Sequence, residues 1–267
     1  MAKPFHIDGY DPVVTDAAER VLVTLLRGLG PWKETVFLVG GLTPRYLVPA
    51  RPPAVPRHAG TGDVDIVVAL ELLGETDAYR TLEENLEAMG FHRSTNDRGN
   101  QQNWRWIAQV EEGPTMILEF LTEHPELGGG RVKELPTEGK VSALNIPYLS
   151  MVFDHHRAID VAADLLDGKG KITETVRYAD IVAFTCLKAF AFNDRGESKD
   201  SHDLVYCLEH GEGGIEAALG AFREAVTGRH REAGRSSSPC SRTMAMAGAR
   251  ATVGSCVSGV LQPLWSH

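Results

Sequence analysis

Residues 63–68, Asp-Val-Asp-Ile-Val-Val, constrain this chain more than any other stretch. Acid and apolar positions alternate through Asp63, Val64, Asp65 and Ile66, and an apolar run follows. A period of two belongs to a β-strand, in which residues i and i+2 project from one face. Asp63 and Asp65 are therefore expected side by side, with Val64 and Ile66 turned into a core. Two carboxylates on one face repel each other unless a cation lies between them. Divalent ions with a preference for oxygen ligands, Mg²⁺ or Mn²⁺, supply that cation. Solvated acids at a strand edge would show the same D-x-D pattern, so its surroundings decide how it is read.

Upstream, Thr35–Val39 (TVFLV) is a β-branched and aromatic run that ends in Gly40-Gly41. The following LTPRYLV predicts a short helix. Glycines at such a turn let backbone approach a phosphate, and a helix start favours an anion. Thr43 adds a hydroxyl in the first turn, and Thr61-Gly62 leads into Asp63. Downstream, Glu119 is a single acid in the apolar stretch ILEFL. A buried carboxylate is costly without a partner such as a metal or an arginine. A glycine turn with three carboxylates around divalent ions is the logic of in-line phosphoryl or nucleotidyl transfer.

The other elements follow from pattern. Apolar residues at helical spacing predict helices over 13–29, 75–89, 176–193, 198–211 and 214–226. Gly90 and Gly211 are expected to close the second and fourth of these. Residues 103–121 predict a β-hairpin turning at 111–114, and residues 143–153 a continuation of the sheet. Residues 49–57 hold four prolines and predict a loop. The fold class expected is α+β (α/β) and bilobed: a mixed sheet flanked by helices over residues 1–155, a helical domain over 156–232, and a tail over 233–267. The tail reads as a linker or disordered segment, or as a stretch in which the reading frame has changed.

Net charge is −9. Residues 229–267 hold five Arg and one Glu and are +4, which leaves −13 on the preceding residues. That argues against a general nucleic-acid coat but not against a local basic groove. The four cysteines, 186, 207, 240 and 256, form no C-x-x-C pair and no zinc spacing. No apolar run approaches 18 residues, and the N-terminus lacks the apolar core of a signal peptide. A cytoplasmic protein without a membrane partner is the expectation.

Taken together, Val39-Gly40-Gly41, Thr61-Gly62-Asp63-Val64-Asp65 and Leu118-Glu119-Phe120 resemble the nucleotidyltransferase superfamily with the polymerase-β-like fold. Leu187-Lys188-Ala189-Phe190, Arg195 and Lys199-Asp200-Ser201-His202-Asp203-Leu204 are similar to the Lys…Arg…(Lys/Arg)-Asp-x-x-Asp signature of its AbiEii-type toxin branch, which includes MenT-like toxins. The resemblance covers roughly residues 30–210. It implies a site between two lobes, an NTP substrate and Mg²⁺ or Mn²⁺. It implies transfer of a nucleotide to an acceptor, with RNA at the tRNA 3′ end as the acceptor of the toxin branch, in a toxin–antitoxin or phage-defence setting with a cognate antitoxin.

Carried over by position, Gly40, Gly41, Thr43, Thr61 and Lys188 would bind the nucleotide. Asp63, Asp65 and Glu119 would hold metal, and Asp63, Asp65, Lys188 and Asp203 would form the catalytic set. Asp200 and Asp203 stand i, i+3 on one helix and share a face, which Lys188 of the preceding helix is placed to meet. A helix–helix salt bridge would use the same residues. Twenty-one residues separate the glycine pair from D-x-D, longer than in many relatives, and imply an inserted loop.

Two other readings stand beside this one. A small-molecule nucleotidyltransferase of the aminoglycoside-modifying kind suits the acidic balance, since such acceptors are cations. A non-catalytic binder or antitoxin on the same fold would not need Asp63, Asp65, Glu119 and Lys188 together. Trp104 and Trp106 read as core residues, Arg45 and Arg105 as surface pairing, His202 as surface, and His155-His156 as no metal site.

Overall fold

In the computed structural model the described residues are 12–69, 82–110, 113–124, 126–137, 139–166 and 168–227. The first helix, α1 (Pro12–Leu29), buries Ala18, Val21, Leu22, Leu25, Leu26 and Leu29 on the face that its spacing predicts. It lies against a mixed sheet of nine strands. These are β1 (Val36–Val39), β2 (Asp63–Val68), β3 (His92–Thr95), β4 (Gln101–Gln109), β5 (Thr115–Thr122), β6 (Val132–Glu134), β7 (Ser142–Asn145), β8 (His156–Asp164) and β9 (Lys171–Ala179).

The strand order is β3-β4-β5-β2-β1-β9-β8, with β7 pairing the end of β5 and carrying β6. Strands β2 and β5 run parallel, as do β1 and β9 and β5 and β7; the remaining pairs are antiparallel. A parallel pair requires a crossover. Between β2 and β5 the chain passes through α3 (Leu82–Ala88) and the β3–β4 hairpin, α2 (Pro44–Leu47) having followed the glycine turn earlier. The predicted 75–89 helix is α3 where it is described, and residues 75–81 lie outside the described residues. Gly90, at φ +87°, closes α3 as expected, with the Phe91 N–H donating to Leu86 O. The predicted 103–121 hairpin is β4–β5.

Residues 156–179, assigned from the sequence to a helical domain, instead form β8 and β9 and extend the sheet past β1. The predicted 176–193 helix therefore begins five residues late, at Ile181. Val176–Ala179 is the end of β9, and Asp180 caps α5 (Ile181–Arg195). Its side chain accepts from the Val182 and Ala183 N–H groups at 2.9 and 3.0 Å, which satisfies two of the unpaired donors of a helix start. A short α4 (Met151–Asp154) precedes β8, so the expected extension of the sheet over 143–153 is only β7. Helices α6 (Ser198–His210) and α7 (Gly214–Thr227) complete the described chain. Gly211 ends α6 as expected but in an extended, not a left-handed, conformation. The tail expected over 233–267 lies outside the described residues. One cluster of buried apolar side chains runs from α1 through the sheet to α7. No helix among the described residues is long and apolar enough to cross a membrane.

Burial, the largest influence, raises the carboxyl pKa of Asp180. His155 and the two capped N–H groups outweigh it and hold the pKa below the usual value. A depressed carboxylate contributes stability above its unfolded pKa, here 3.8, and loses it as pH falls. Asp180→Ala is expected to lower unfolding stability by about 1–2 kcal/mol in urea at pH 7. The difference from the parent should shrink below pH 4, and Asp180→Asn should recover part of it.

Candidate active site

The sheet brings the three carboxylates together by register. On β2 and β5, Asp65 lies opposite Glu119 and Asp63 opposite Ile117. On β4 and β5, Arg105 lies opposite Glu119. Val39, at the end of β1, lies opposite Asp65. Directly paired residues share a face, so Asp65, Glu119 and Arg105 form one row across three strands. Val64, Ile66, Leu118 and Phe120 are buried on the opposite face. Both acids of the D-x-D pair are half-buried, as the alternation predicts.

Glu119 is the strained member of this row. Its side chain is 19% exposed and Arg105 Nε lies 3.2 Å from Oε1. Its pKa is nonetheless pushed up to about 8. Desolvation is the main cause, then repulsion from Asp65; Arg105 opposes them, while Asp63 and a hydrogen bond to Asp65 add to the rise. Arg105 does not outweigh desolvation and the acidic neighbours, and Glu119 takes up a proton.

The glycine turn lies between this row and the helices. Gly40 has φ +70°, and a Cβ there would collide with Asp65 Oδ2. A Cβ on Gly41 would lie 2.6 Å from Thr61 Oγ1 and 3.1 Å from Lys199 Nζ. Successive glycines thus touch an acid of β2 and a cation of α6. Thr61 is buried, and its hydroxyl is tied to the backbone of Asp63. Thr43 is fully buried, and its Oγ1 has no hydrogen-bond partner. It lies under the turn and not on its open side.

The second charged group joins α5 and α6. Lys188 Nζ lies 3.0 Å from Asp200 Oδ1 and 2.6 Å from Asp203 Oδ2. Lys199 Nζ reaches Asp203 Oδ2 at 2.8 Å, and Arg195 Nε reaches Asp200 Oδ2 at 2.6 Å. Asp203 is fully buried and Asp200 almost so. Burial alone would raise the Asp203 pKa, but Lys188, His58 and Lys199 hold it far below the carboxylate range. Burial likewise works to lower the Lys188 pKa, and the two aspartates reverse that. Three cations against two acids leave this group one positive charge. When all ionise, three acids against Arg105 leave the sheet row two negative charges.

One group of His, Cys, Asp and Glu among the described residues has ligand atoms within 4.8 Å of one another: His58, His202 and Asp203. Its hydrogen bonding argues against a metal. The Gly60 N–H donates to His58 Nδ1 at 3.0 Å, so the ring proton sits on Nε2 and points to Asp203 Oδ1, 2.8 Å away. Lys188 and Lys199 already place two positive charges on the other oxygen. His58 thus presents a proton, not a lone pair, to Asp203, and three donors already surround that carboxylate.

Every residue carried over by the resemblance falls in one of these two groups or at the turn between them, with Thr43 beneath it. His202, read as surface, is half-buried and stacks on His58 with ring centroids 5.4 Å apart. Arg45 pairs with Asp16 and Glu19, and Trp106 is fully buried, as expected. Arg105 belongs to the carboxylate row. The sequence reading missed His58, whose only local signal is its place just ahead of Gly60-Thr61-Gly62-Asp63. The chain matches no protein-family model and none of the curated proteins.

A raised acid pKa contributes stability below its unfolded value, 4.5, and that contribution is lost as pH rises toward 8. In EDTA, Glu119→Gln should therefore be more stable than the parent at pH 8.5, by on the order of 2–4 kcal/mol. The two should be close to equal at pH 4.5. Thermal unfolding across that range checks both the sign and the window.

Proposed function

We propose that the protein is a metal-dependent nucleotidyltransferase, which transfers NMP from an NTP and releases pyrophosphate. One observation carries the reading: three carboxylates beside Arg105 and a group with one excess positive charge meet across a glycine turn. Mg·NTP has matching parts, a divalent cation and a polyanionic tail. Asp63, Asp65 and Glu119 offer the oxygen ligands that Mg²⁺ or Mn²⁺ prefers, and binding such an ion would release the proton that desolvation and the acidic neighbours keep on Glu119. When bound, that ion supplies charge neutralisation and Lewis acidity at the phosphates.

The chain's own residues do the rest. Gly40 and Gly41 let Asp65, Thr61 and Lys199 crowd against the turn, which brings an acid and a cation to one place. Lys199 brings positive charge to the same turn, and Arg195 acts electrostatically on Asp65. Lys188 keeps Asp200 and Asp203 neutralised, so they do not repel the triphosphate.

The acceptor rests on the resemblance to the toxin branch, which points to RNA and the tRNA 3′ end. A cognate antitoxin follows from the same resemblance, and a cytoplasmic setting is the reading of the sequence composition. With labelled NTPs, Mg²⁺ and total tRNA, label should move to RNA, and Asp63→Asn should reduce the rate by at least about 10²-fold. Mg·NTP binding with no labelled RNA would move the reading to a small-molecule acceptor. Absence of NTP binding would overturn it.

A further inference from the structure

The proline-rich segment before D-x-D does more than connect. Residues 49–62 have no helix or strand, yet their end is enclosed: Ala59, Gly60 and Thr61 are buried and His58 is half-buried. The segment is fastened to one face of α6. Tyr206 Oη donates to Pro56 O at 3.2 Å, and the His58 ring lies 4.8 Å from Tyr206 and 5.4 Å from His202. His202 and Tyr206 are i, i+4 on that helix and share the face that carries Asp203 and Lys199.

His58 joins the two charged groups by a continuous set of bonds. Its Nε2–H donates to Asp203 Oδ1, and its Nδ1 accepts from Gly60. Thr61, next in the chain, donates its N–H to Thr15 and exchanges hydrogen bonds with the backbone of Asp63. The path therefore runs from the acid of α6 to the backbone at the start of β2. At Asp203 the bond to His58 occupies Oδ1, which leaves Oδ2 to Lys188 and Lys199. The orientation of one buried carboxylate thus fixes the ammonium group that sits at Gly41.

We propose that His58 is a positioning residue, and that the 49–62 segment is a clasp that holds Asp203, and through it Lys199, in place for the triphosphate of the nucleotide. The proposal rests on the nucleotidyl-transfer reading for its ligand. His58 touches no reacting atom. Without its proton, Oδ1 is buried and unpaired, the carboxylate rotates toward other donors, and Lys199 leaves the turn.

Two variants separate the bond from the packing. His58→Phe keeps a ring between His202 and Tyr206 and removes the donor. His58→Gln loses the ring and keeps an N–H at about the reach of Nε2. Calorimetric titration with each Mg·NTP gives binding, and transfer assays separate KM from kcat. His58→Phe is expected to bind about 10-fold more weakly, the loss of one charge-assisted hydrogen bond, with KM changing more than kcat. His58→Gln should recover most of that loss. Hydrogen exchange at residues 58–62 should quicken in the Phe variant and stay near the parent in the Gln variant.

Wild-type binding in the Phe variant, or equal losses in both variants, would overturn the proposal. If the parent chain binds no NTP, the nucleotide reading fails by itself, and the exchange data still judge the clasp. Unchanged exchange at 58–62 in His58→Phe would then sink it. Should the Phe variant not fold, the Gln variant decides: it must bind NTP and protect 58–62 as the parent does, and failure on either count overturns the proposal.

Discussion

The arrangement of α5, α6 and the segment before β2 depends on one buried ammonium group, that of Lys188. Its side chain is 9% exposed, and those of Asp200 and Asp203 are 2% and 0% exposed. Removing such charges from water costs several kcal/mol per ion unless each is paired and its remaining lone pairs are filled. Here they are. Arg195 completes Asp200, and Lys199 and His58 complete Asp203. A buried ion pair adds little net stability compared with apolar packing, so its value lies elsewhere. This one sets the rotation of α6 about its axis, because only one rotation turns both Asp200 and Asp203 toward α5.

The carboxylate row answers it with the opposite economy. Glu119 and Asp65 stand against each other across β2 and β5, and desolvation together with that repulsion forces Glu119 toward its neutral form although Arg105 lies beside it. A structural pair would have been balanced as Lys188 is. The two clusters differ: in one the buried acids are each met by cations, and in the other an acid is held toward its neutral form. Groups pushed far from their ordinary titration range by neighbours of like charge are where function concentrates.

Much of this was legible in short windows of sequence. Alternation placed Asp63 and Asp65 on one face, and helical spacing placed Lys188, Asp200 and Asp203 where they meet. Strands β8 and β9 were not legible for the opposite reason. Residues 156–160 are exposed on both faces, so no apolar alternation marks them. The end of β9 runs without a break into an apolar helix, and Asp180 is the sole punctuation. Glu119 was visible as an odd acid, but its neighbour was not, because the register of parallel strands is set by the whole sheet and not by either strand. His58 and Asp203 lie 145 residues apart, beyond any periodicity.

That separation has a consequence for how the site forms. The β4–β5 hairpin and the α5–α6 pair are local and need little chain closure. The contact of His58 with Asp203 needs nearly the whole sheet in place first, and non-local contacts of this kind form late because loop closure precedes their reward. The prolines of residues 49–57 reduce that cost, since each limits the unfolded chain more than the folded one. A segment that was only a spacer would gain nothing from such stiffness. One that must deliver a single imidazole to a buried carboxylate does, because the restriction is imposed before folding and the donor arrives already directed.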